Sequence, residues 1–408
     1  MARKAAPENS SKNRSSKAHS VAIAGNGIAA EAMALALARN GREVQLIGDN
    51  RAGMPGGVQL APNGWAALDH LGVKAAATRK ATPLSSLRMV GLESGITLVS
   101  IAVNSSPQRR PYTSLKRKDL VTLLAKAGDK TGLITRVKTR LKAIEPASNS
   151  GSNSASNSAS NSGSNNVTLS LENGEVMTAD WLIGCDGAGG ISRGFVEAGA
   201  PRKPLHVRTA FRAVLPADAI PGAHFPGGQA TTVWLGRGGH IVHYPLADGS
   251  LNLVVVTRPS PQARGIAAAM MESQPLLAPY ADAITKAAEI PLLEYGLLDT
   301  WQRGRVILAG DAAHPMPPHL AQGAGQSLID AHHFARELEA HNSTDDLQGV
   351  MTAWSASRVR DIRGVVRNAR RAGAVFALDG PGARLRNLGL TGFGDAVLGR
   401  MLDRLWSQ

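Results

Sequence analysis

The first apolar stretch of the chain does most to narrow its fold. Val21–Ala24 reads as a short strand, Gly25-Asn26-Gly27-Ile28-Ala29-Ala30 as a glycine-rich turn, and Ile28 to Asn40 as an alanine-rich helix stopped by Gly41. Glu43–Ile47 is the next strand, which completes a βαβ unit and makes the chain an α/β protein. In the turn, Gly25 permits the tight bend, Gly27 lets the backbone approach a pyrophosphate, and Ala30 is small enough for helix and strand to pack closely. The helix N-terminus adds free N–H groups and a positive dipole for phosphates. The same turn also occurs as a plain βα junction with no ligand. An acidic residue at the end of the second strand commonly takes a ribose hydroxyl; here that position is Gly48, with Asp49 next.

Composition limits the rest. At 408 residues the chain has room for roughly two to three domains and a sizeable core. A single cysteine, Cys185, excludes a disulfide framework and a multi-cysteine metal site, and fits a reducing compartment such as the cytoplasm. Read as a small apolar residue at a strand end, it needs no nucleophilic role. No uncharged apolar run is long enough for a transmembrane segment, and the basic first twenty residues lack the apolar core of a secretory signal. The net charge of +14 is uneven: Arg109–Lys142 holds eleven cations and two anions, and Met351–Gln408 ten arginines and four aspartates. Such excess attracts anionic substrates or an anionic membrane surface. With only 4 % aromatic residues for base stacking, no nucleic acid partner is expected.

Residues 1–19 read as a disordered basic extension. Residues 148–166 form a low-complexity Ser/Asn loop between two short strands, Arg140–Glu145 and Val167–Leu171, and so are expected at a long hairpin tip rather than a domain boundary. Leu205–Leu215 and His240–Thr257 carry strand-like runs that suit an antiparallel sheet. Arg305–Ala309 is a buried strand leading through a loop to a helix near Ala324–Ala340, and 349–408 is helical and rich in arginine.

Two further motifs each place an aspartate just after a buried strand, at the edge where ligands bind in open α/β sheets. One is Asp180-Trp181-Leu182-Ile183-Gly184-Cys185-Asp186-Gly187-Ala188-Gly189-Gly190-Ile191-Ser192-Arg193. The other is Arg305-Val306-Ile307-Leu308-Ala309-Gly310-Asp311-Ala312-Ala313-His314-Pro315, continued by Gln322-Gly323-Ala324-Gly325-Gln326. Asp311 is placed to accept hydrogen bonds from a hydroxyl chain, and Gly323 and Ala324 open a helix whose N–H groups can face an electron-rich ring edge.

With its three motifs in this order, the chain resembles the class A FAD-dependent aromatic hydroxylases, the family of para-hydroxybenzoate hydroxylase. Gly56-Gly57-Val58-Gln59-Leu60-Ala61-Pro62-Asn63-Gly64 and His240-Ile241-Val242-His243-Tyr244-Pro245-Leu246 resemble the branch containing salicylate, 3-hydroxybenzoate 6- and 6-hydroxynicotinate hydroxylases. Arg117-Lys118-Asp119-Leu120 is similar to the family's Arg-x-Asp-Leu element. The resemblance implies a Rossmann-like FAD-binding domain (about 20–90, 110–200 and 300–350) interleaved with an antiparallel-sheet substrate domain (about 91–109 and 201–299), followed by C-terminal helices (about 350–408). It implies that Gly25, Gly27, Ala30, Asp49, Arg51, Gln59, Arg117, Asp186, Arg193, Asp311, Gly323 and Ala324 serve the cofactor. Among them, Arg117 contacts FAD, Gln59 lines the isoalloxazine side, Asp311 holds the ribityl–pyrophosphate region, and Asp186 and Arg193 belong to the motif tied to FAD and NAD(P)H. Gly190 and Ile329 stand where the family usually has serine and an acidic residue.

The chemistry so implied is reduction of FAD by NADH or NADPH, addition of O₂ to give a flavin C4a-hydroperoxide, and attack of an electron-rich ring on its distal oxygen. The protein must then orient the ring, exclude water and take a phenolic proton, work that suits a histidine. On a strand, His240, Val242 and Tyr244 share one face and His243 points the other way, so His240 is expected as base with Tyr244 as its hydroxyl partner. His319, in the third motif's loop, is expected near the substrate side of the flavin. The alternative is that these are ordinary sheet and loop residues. Metal is not expected: His314, His319, His332 and His333 lack supporting ligands at recognised spacing. In the C-terminal segment Gly389, Gly392, Gly394 and Gly399 are expected to interrupt any long amphipathic helix, which favours packing over membrane contact.

The expectation is therefore a cytoplasmic monooxygenase, monomer or homodimer, that hydroxylates a small phenolic or hydroxylated N-heteroaromatic substrate. Its alternatives are a membrane-surface hydroxylase of a lipophilic quinone precursor or polyketide, and a non-catalytic flavin-binding protein.

Overall fold

A computed structural model describes residues 20–49, 56–104, 111–145, 166–198, 203–220, 228–341 and 347–407. The basic extension 1–19, and all of the Ser/Asn tract but Asn166, lie outside them.

The chain begins with β1 (Val21–Ala24), α1 (Ile28–Arg39), β2 (Val44–Ile47), β3 (Gly57–Leu60), α2 (Pro62–His70), α3 (Lys74–Thr78), β4 (Thr82–Pro83), β5 (Ser86–Gly91), β6 (Thr97–Ala102) and β7 (Thr113–Lys116). It continues through α4 (Arg117–Asp129), β8 (Ile134–Val137), β9 (Leu141–Glu145), β10 (Val167–Leu171), β11 (Val176–Ala179), β12 (Trp181–Gly184) and α5 (Ile191–Glu197). Then come β13 (Leu205–Leu215), β14 (Ala230–Leu235), β15 (His240–Pro245), β16 (Leu251–Thr257), α6 (Ala263–Glu272), α7 (Ala281–Thr285) and β17 (Ala288–Glu294). β18 (Gln302–Arg303), β19 (Val306–Leu308), α8 (Gly323–Ala340), α9 (Leu347–Phe376) and α10 (Gly380–Trp406) complete it.

β1 lies inside a six-stranded sheet of order β18-β19-β12-β1-β2-β8, parallel except at the β18 edge. The three motifs thus follow β1, β12 and β19, side by side in this sheet. α1 is rich in alanine because it is buried nearly all round, against the sheet, α4 and α8. Glu31, buried in α1, is held by a bidentate pair of bonds from Arg136 of β8 at 2.7 and 3.0 Å. β9 and β10 pair antiparallel.

The second large sheet has seven strands in the order β17-β13-β16-β15-β14-β5-β6, antiparallel except for β14 on β5. β5 belongs to this sheet through its register with β14, from Ser86 opposite Ala230 to Gly91 opposite Leu235. The chain therefore enters the layer before the boundary expected near residue 90. One face of the sheet carries its own apolar core, including Phe211, Trp234, Ile241 and Val255 beneath α6 and α7. The opposite face looks into a cavity.

The C-terminal segment corrects an expectation. α10 runs unbroken through Gly389, Gly392, Gly394 and Gly399. The cost of helical glycine is about 1 kcal/mol each relative to alanine, and packing outweighs it. Gly394 is buried against Val99 of β6, and the helix end buries Leu402 and Leu405. Among the described residues no helix is long and apolar enough to cross a membrane.

Candidate active site

A cavity of about 700 Å³ lies between the carboxyl ends of β1, β2 and β12 and the inward face of the seven-stranded sheet. Its two ends differ in chemistry.

The first end is a backbone cradle. Gly25 has φ +130°, and a Cβ there would run into the Cys185 carbonyl, so no other residue fits. Gly27 precedes α1 and has beside it the guanidinium of Arg117, whose own backbone N–H donates to Gly56 O at 3.0 Å. The Asn26 amide donates to the backbone and carboxylate oxygens of Asp49, which borders the cavity one residue beyond the position expected of a ribose acid. Burial lowers the basicity of Arg117; the Asp311 carboxylate works against this and Arg212 adds to it. Asp311 is exposed to the cavity, near Gly323 at the start of α8. No side chain caps that helix, so its first N–H groups are available to a ligand. Asp186 also borders the cavity; burial raises its pKa, although its carboxylate accepts the Ser192 N–H at 2.9 Å. At Gly190 the Asp186 carboxylate occupies the space that a Cβ would take.

Two of the expected cofactor residues do not reach this cavity. Arg193 is 2 % exposed and donates to the carbonyls of Ala312 at 2.8 Å and Gly296 at 2.7 Å. It braces the third motif from behind, because α5 turns its side chain toward that loop and not toward the ligand. Ala30 is fully buried and serves only the close packing of α1. Arg51 lies outside the described residues.

The third motif is itself braced by a buried carboxylate. Asp330 of α8 accepts from Gly310 N–H at 2.8 Å, His314 Nε2 at 2.7 Å and Arg358 Nε of α9 at 2.9 Å. These partners hold the Asp330 pKa down at about 2 in spite of its burial. His314 is thus a structural residue of the loop.

The second end is a chamber. β15 turns His240, Val242 and Tyr244 into it, and Ile241 and His243 to the opposite face, as the alternation predicts. β13 contributes Ala210 and Arg212, β16 Val254 and Val256, β14 Thr231 and Val233, and β5 Leu87 and Met89. The His240 ring centroid is 5.3 Å from those of His319 and Phe376. Burial, then the charges of His319, Arg208 and Arg386, hold the His240 pKa well below the usual imidazole range. Burial and Arg208 push His319 down to about 4. Burial raises Tyr244 to about 12, so its hydroxyl is a donor at neutral pH. Gln59 Oε1 accepts the Tyr112 hydroxyl at 2.7 Å and its Nε2 donates to Thr231 at 2.8 Å, which fixes the amide at the edge of the chamber.

Arg212, Tyr112, Thr231 and Trp406 also border the cavity and were not singled out from the sequence. A signal for Arg212 was present: it follows Ala210 at strand spacing, a cation on what becomes an inward face. Its guanidinium acts on both Tyr244 and Arg117, so it stands where the two ends of the cavity meet.

The buried histidines carry a stability prediction. His243 is held down at about 3 by burial and Arg88, and His319 at about 4, against 6.5 for the unfolded chain. A lowered folded pKa means full stability above pH 6.5, lost as pH falls toward those values, because the unfolded chain takes up protons first. The expected slope is about 1.4 kcal/mol per pH unit per histidine, and about 3 for the pair, between pH 6 and 4. Urea unfolding at a series of pH values measures it. His240, held low as well, adds to the same slope. His243→Val should therefore lower the slope by about 1.4 kcal/mol per pH unit, and an unchanged slope would count against this origin.

A diphosphate and a polyhydroxyl chain suit the first end: a cradle no side chain can enter, an open helix N-terminus, and one arginine and one carboxylate within reach of each other. The fold and this cleft together define an FAD-binding protein. The chain belongs to the FAD binding domain family, whose model matches residues 18–271 and 282–369. It is 28 % identical over 381 residues to 3-hydroxybenzoate 6-hydroxylase from Klebsiella oxytoca, covering 90 % of this chain and 91 % of the relative. It is 29 % identical over 384 residues to 3-amino-4-hydroxybenzoate 2-monooxygenase PtmB3 from Streptomyces platensis, with 90 % and 91 % covered. In fold it is similar to Klebsiella pneumoniae HpxO complexed with FAD and uric acid, with a TM-score of 0.77, 20 % identity, and 94 % and 96 % of the two chains covered. The protein is a member of the FAD-dependent aromatic monooxygenases.

Proposed function

We propose that the protein hydroxylates a small phenolic or hydroxylated N-heteroaromatic acid with NADH or NADPH and O₂. The observation that carries this reading is the chamber face on which His240, Tyr244 and Arg212 stand together among apolar side chains. When bound, the flavin supplies oxygen activation with electrons drawn from the nicotinamide. The chain's own residues supply the rest. Apolar Val242, Val254 and Val256 hold a flat ring and keep water out. Arg212 favours an anionic ring substituent. Tyr244 donates a hydrogen bond to the ring's oxygen, and an imidazole nitrogen of His240 takes the phenolic proton, which makes the ring a better nucleophile. The relatives act on hydroxybenzoates and amino-hydroxybenzoates by name, which supports the same substrate class.

The test is NADH and NADPH oxidation by FAD-loaded protein, with and without hydroxybenzoates and hydroxypyridine carboxylates. Stimulated oxidation with a hydroxylated product is expected. FAD-loaded protein that none of these rings stimulates would overturn the reading and move weight to a bulky or lipophilic substrate. One observation favours a second reading, a hydroxylase of a lipophilic quinone precursor or polyketide at a membrane surface. Leu385, Leu388, Phe393 and Val397 of α10 are 56 to 74 % exposed. Co-sedimentation with anionic vesicles, coupled to turnover of a lipophilic phenol only, would support it.

A further inference from the structure

α10 meets the chamber with one of its faces. Beyond Gly394, which rests on Val99 of β6, the side chains of Leu398, Met401, Leu402 and Trp406 line the cavity. Their spacing is that of one helical stripe. Val397, Arg400, Asp403 and Arg404 lie outside it and are exposed. The part of the cavity that α10 covers is therefore apolar, whereas Arg212, His240 and His319 stand on other elements.

The helix end is fastened where it matters for the ring. Leu405 is 2 % exposed, and its carbonyl accepts the Asn63 amide of α2 at 3.2 Å. The Trp406 ring stacks on Tyr112 with centroids 5.4 Å apart and planes 30° from parallel. Tyr112 in turn donates to Gln59. The wall is thus placed in part by Tyr112, which also fixes Gln59, and its depth is set by unbranched Met401 and by two leucines.

We propose that Leu398, Met401 and Leu402 of α10 form the wall that selects the substrate's ring substituents, admitting uncharged groups of limited size on that side. This rests on the chamber being the ring site, as in the function proposed above. A charged substituent would lose its hydration against this wall with no partner to replace it. An apolar one gains or loses by fit, and one methylene in an apolar pocket changes discrimination by about 10- to 200-fold.

The experiment uses FAD-loaded full-length protein. The probes are salicylate, 3-hydroxybenzoate and 6-hydroxynicotinate, each with its ring-methyl and ring-propyl analogues. Binding is read from the perturbation of flavin absorbance, and kcat/KM from product. Met401→Ala and Leu398→Ala should shift preference toward the alkylated rings by about tenfold or more in Kd ratio. Met401→Phe should shift it the other way, so a variant that merely loosens the fold is recognised by failing to reverse. Val397→Ala, on the exposed face, should leave the ratio unchanged. Rings that bind with the same size preference in every variant would overturn the wall and leave the proposed function standing. Wild-type protein that retains FAD and binds none of the rings would overturn the proposed function, and the wall with it.

Discussion

In His240→Asn, hydroxylation at pH 7 should fall by about 10² to 10⁴, the usual worth of a positioned proton acceptor, while bound FAD stays at the wild-type level. The first half follows from the place of His240. It is 3 % exposed, stands on the chamber face two residues from Val242 and four from Tyr244, and is the histidine that the strand itself aims at the ring site. The second half follows from distance in the fold: the cradle of Gly25, Gly27 and Arg117 belongs to other elements. Asparagine keeps a polar group of similar reach, so loss of packing against Phe376 and His319 is kept small. The pH profile separates a base from a spacer. Because His240 sits well below the usual imidazole range, the acidic limb of kcat/KM in the wild type should lie below pH 6.5. An anionic ring arriving beside Arg212 adds negative charge and makes His240 a better base when the substrate is present. In the variant the rate should climb with pH as the phenol ionises without help. A variant with the wild-type rate on a substrate that yields hydroxylated product would remove His240 from this role.

What could be read from the sequence, and what could not, follows from range. The glycine turn, the strands that end in Asp186 and Asp311, and the start of α8 are local patterns, and the structure sets them around one cavity because parallel strands bring their carboxyl ends to one edge. The pointing of His240 and Tyr244 was legible too, since side-chain alternation along a strand is a local rule. For Arg193 the motif indicates position but not the direction taken by the short helix α5; its guanidinium turns to the carbonyls of Ala312 and Gly296. The place of Arg212 is not legible from the sequence because its surroundings are distant in the chain: its side chain packs against Gly56 and acts on Arg117 and Tyr244. The glycines of α10 predict a break by propensity alone, but the surface of β6 is distant in the sequence and turns Gly394 from a weakness into a contact.

Asp330→Ala should destabilise the protein by about 3 to 5 kcal/mol, the cost of breaking a buried ion pair by removing one partner. Asp330 is 1 % exposed, and the two side chains left behind, His314 and Arg358, are 0 % and 2 % exposed. Arg358 would keep only the side-chain Oε1 of Gln326 at 2.8 Å and the distant Asp361 at 3.8 Å, neither able to replace a direct carboxylate. The Gly310 N–H would lose its acceptor as well, and Gly310 is the residue that turns Asp311 toward the cofactor cradle. FAD retention should therefore weaken in the same variant, although Asp330 itself does not border the cavity. Urea unfolding and flavin content after gel filtration measure the two effects. The pair Asp330→Leu with Arg358→Met discriminates between causes. If the loss is the penalty of a stranded buried charge, the double variant recovers much of the stability, because apolar groups of similar volume carry no such penalty. It should recover less of the FAD retention, because neither side chain can hold the Gly310 N–H. Equal recovery of both would mean that Asp330 positions nothing in the third motif and serves only to neutralise Arg358.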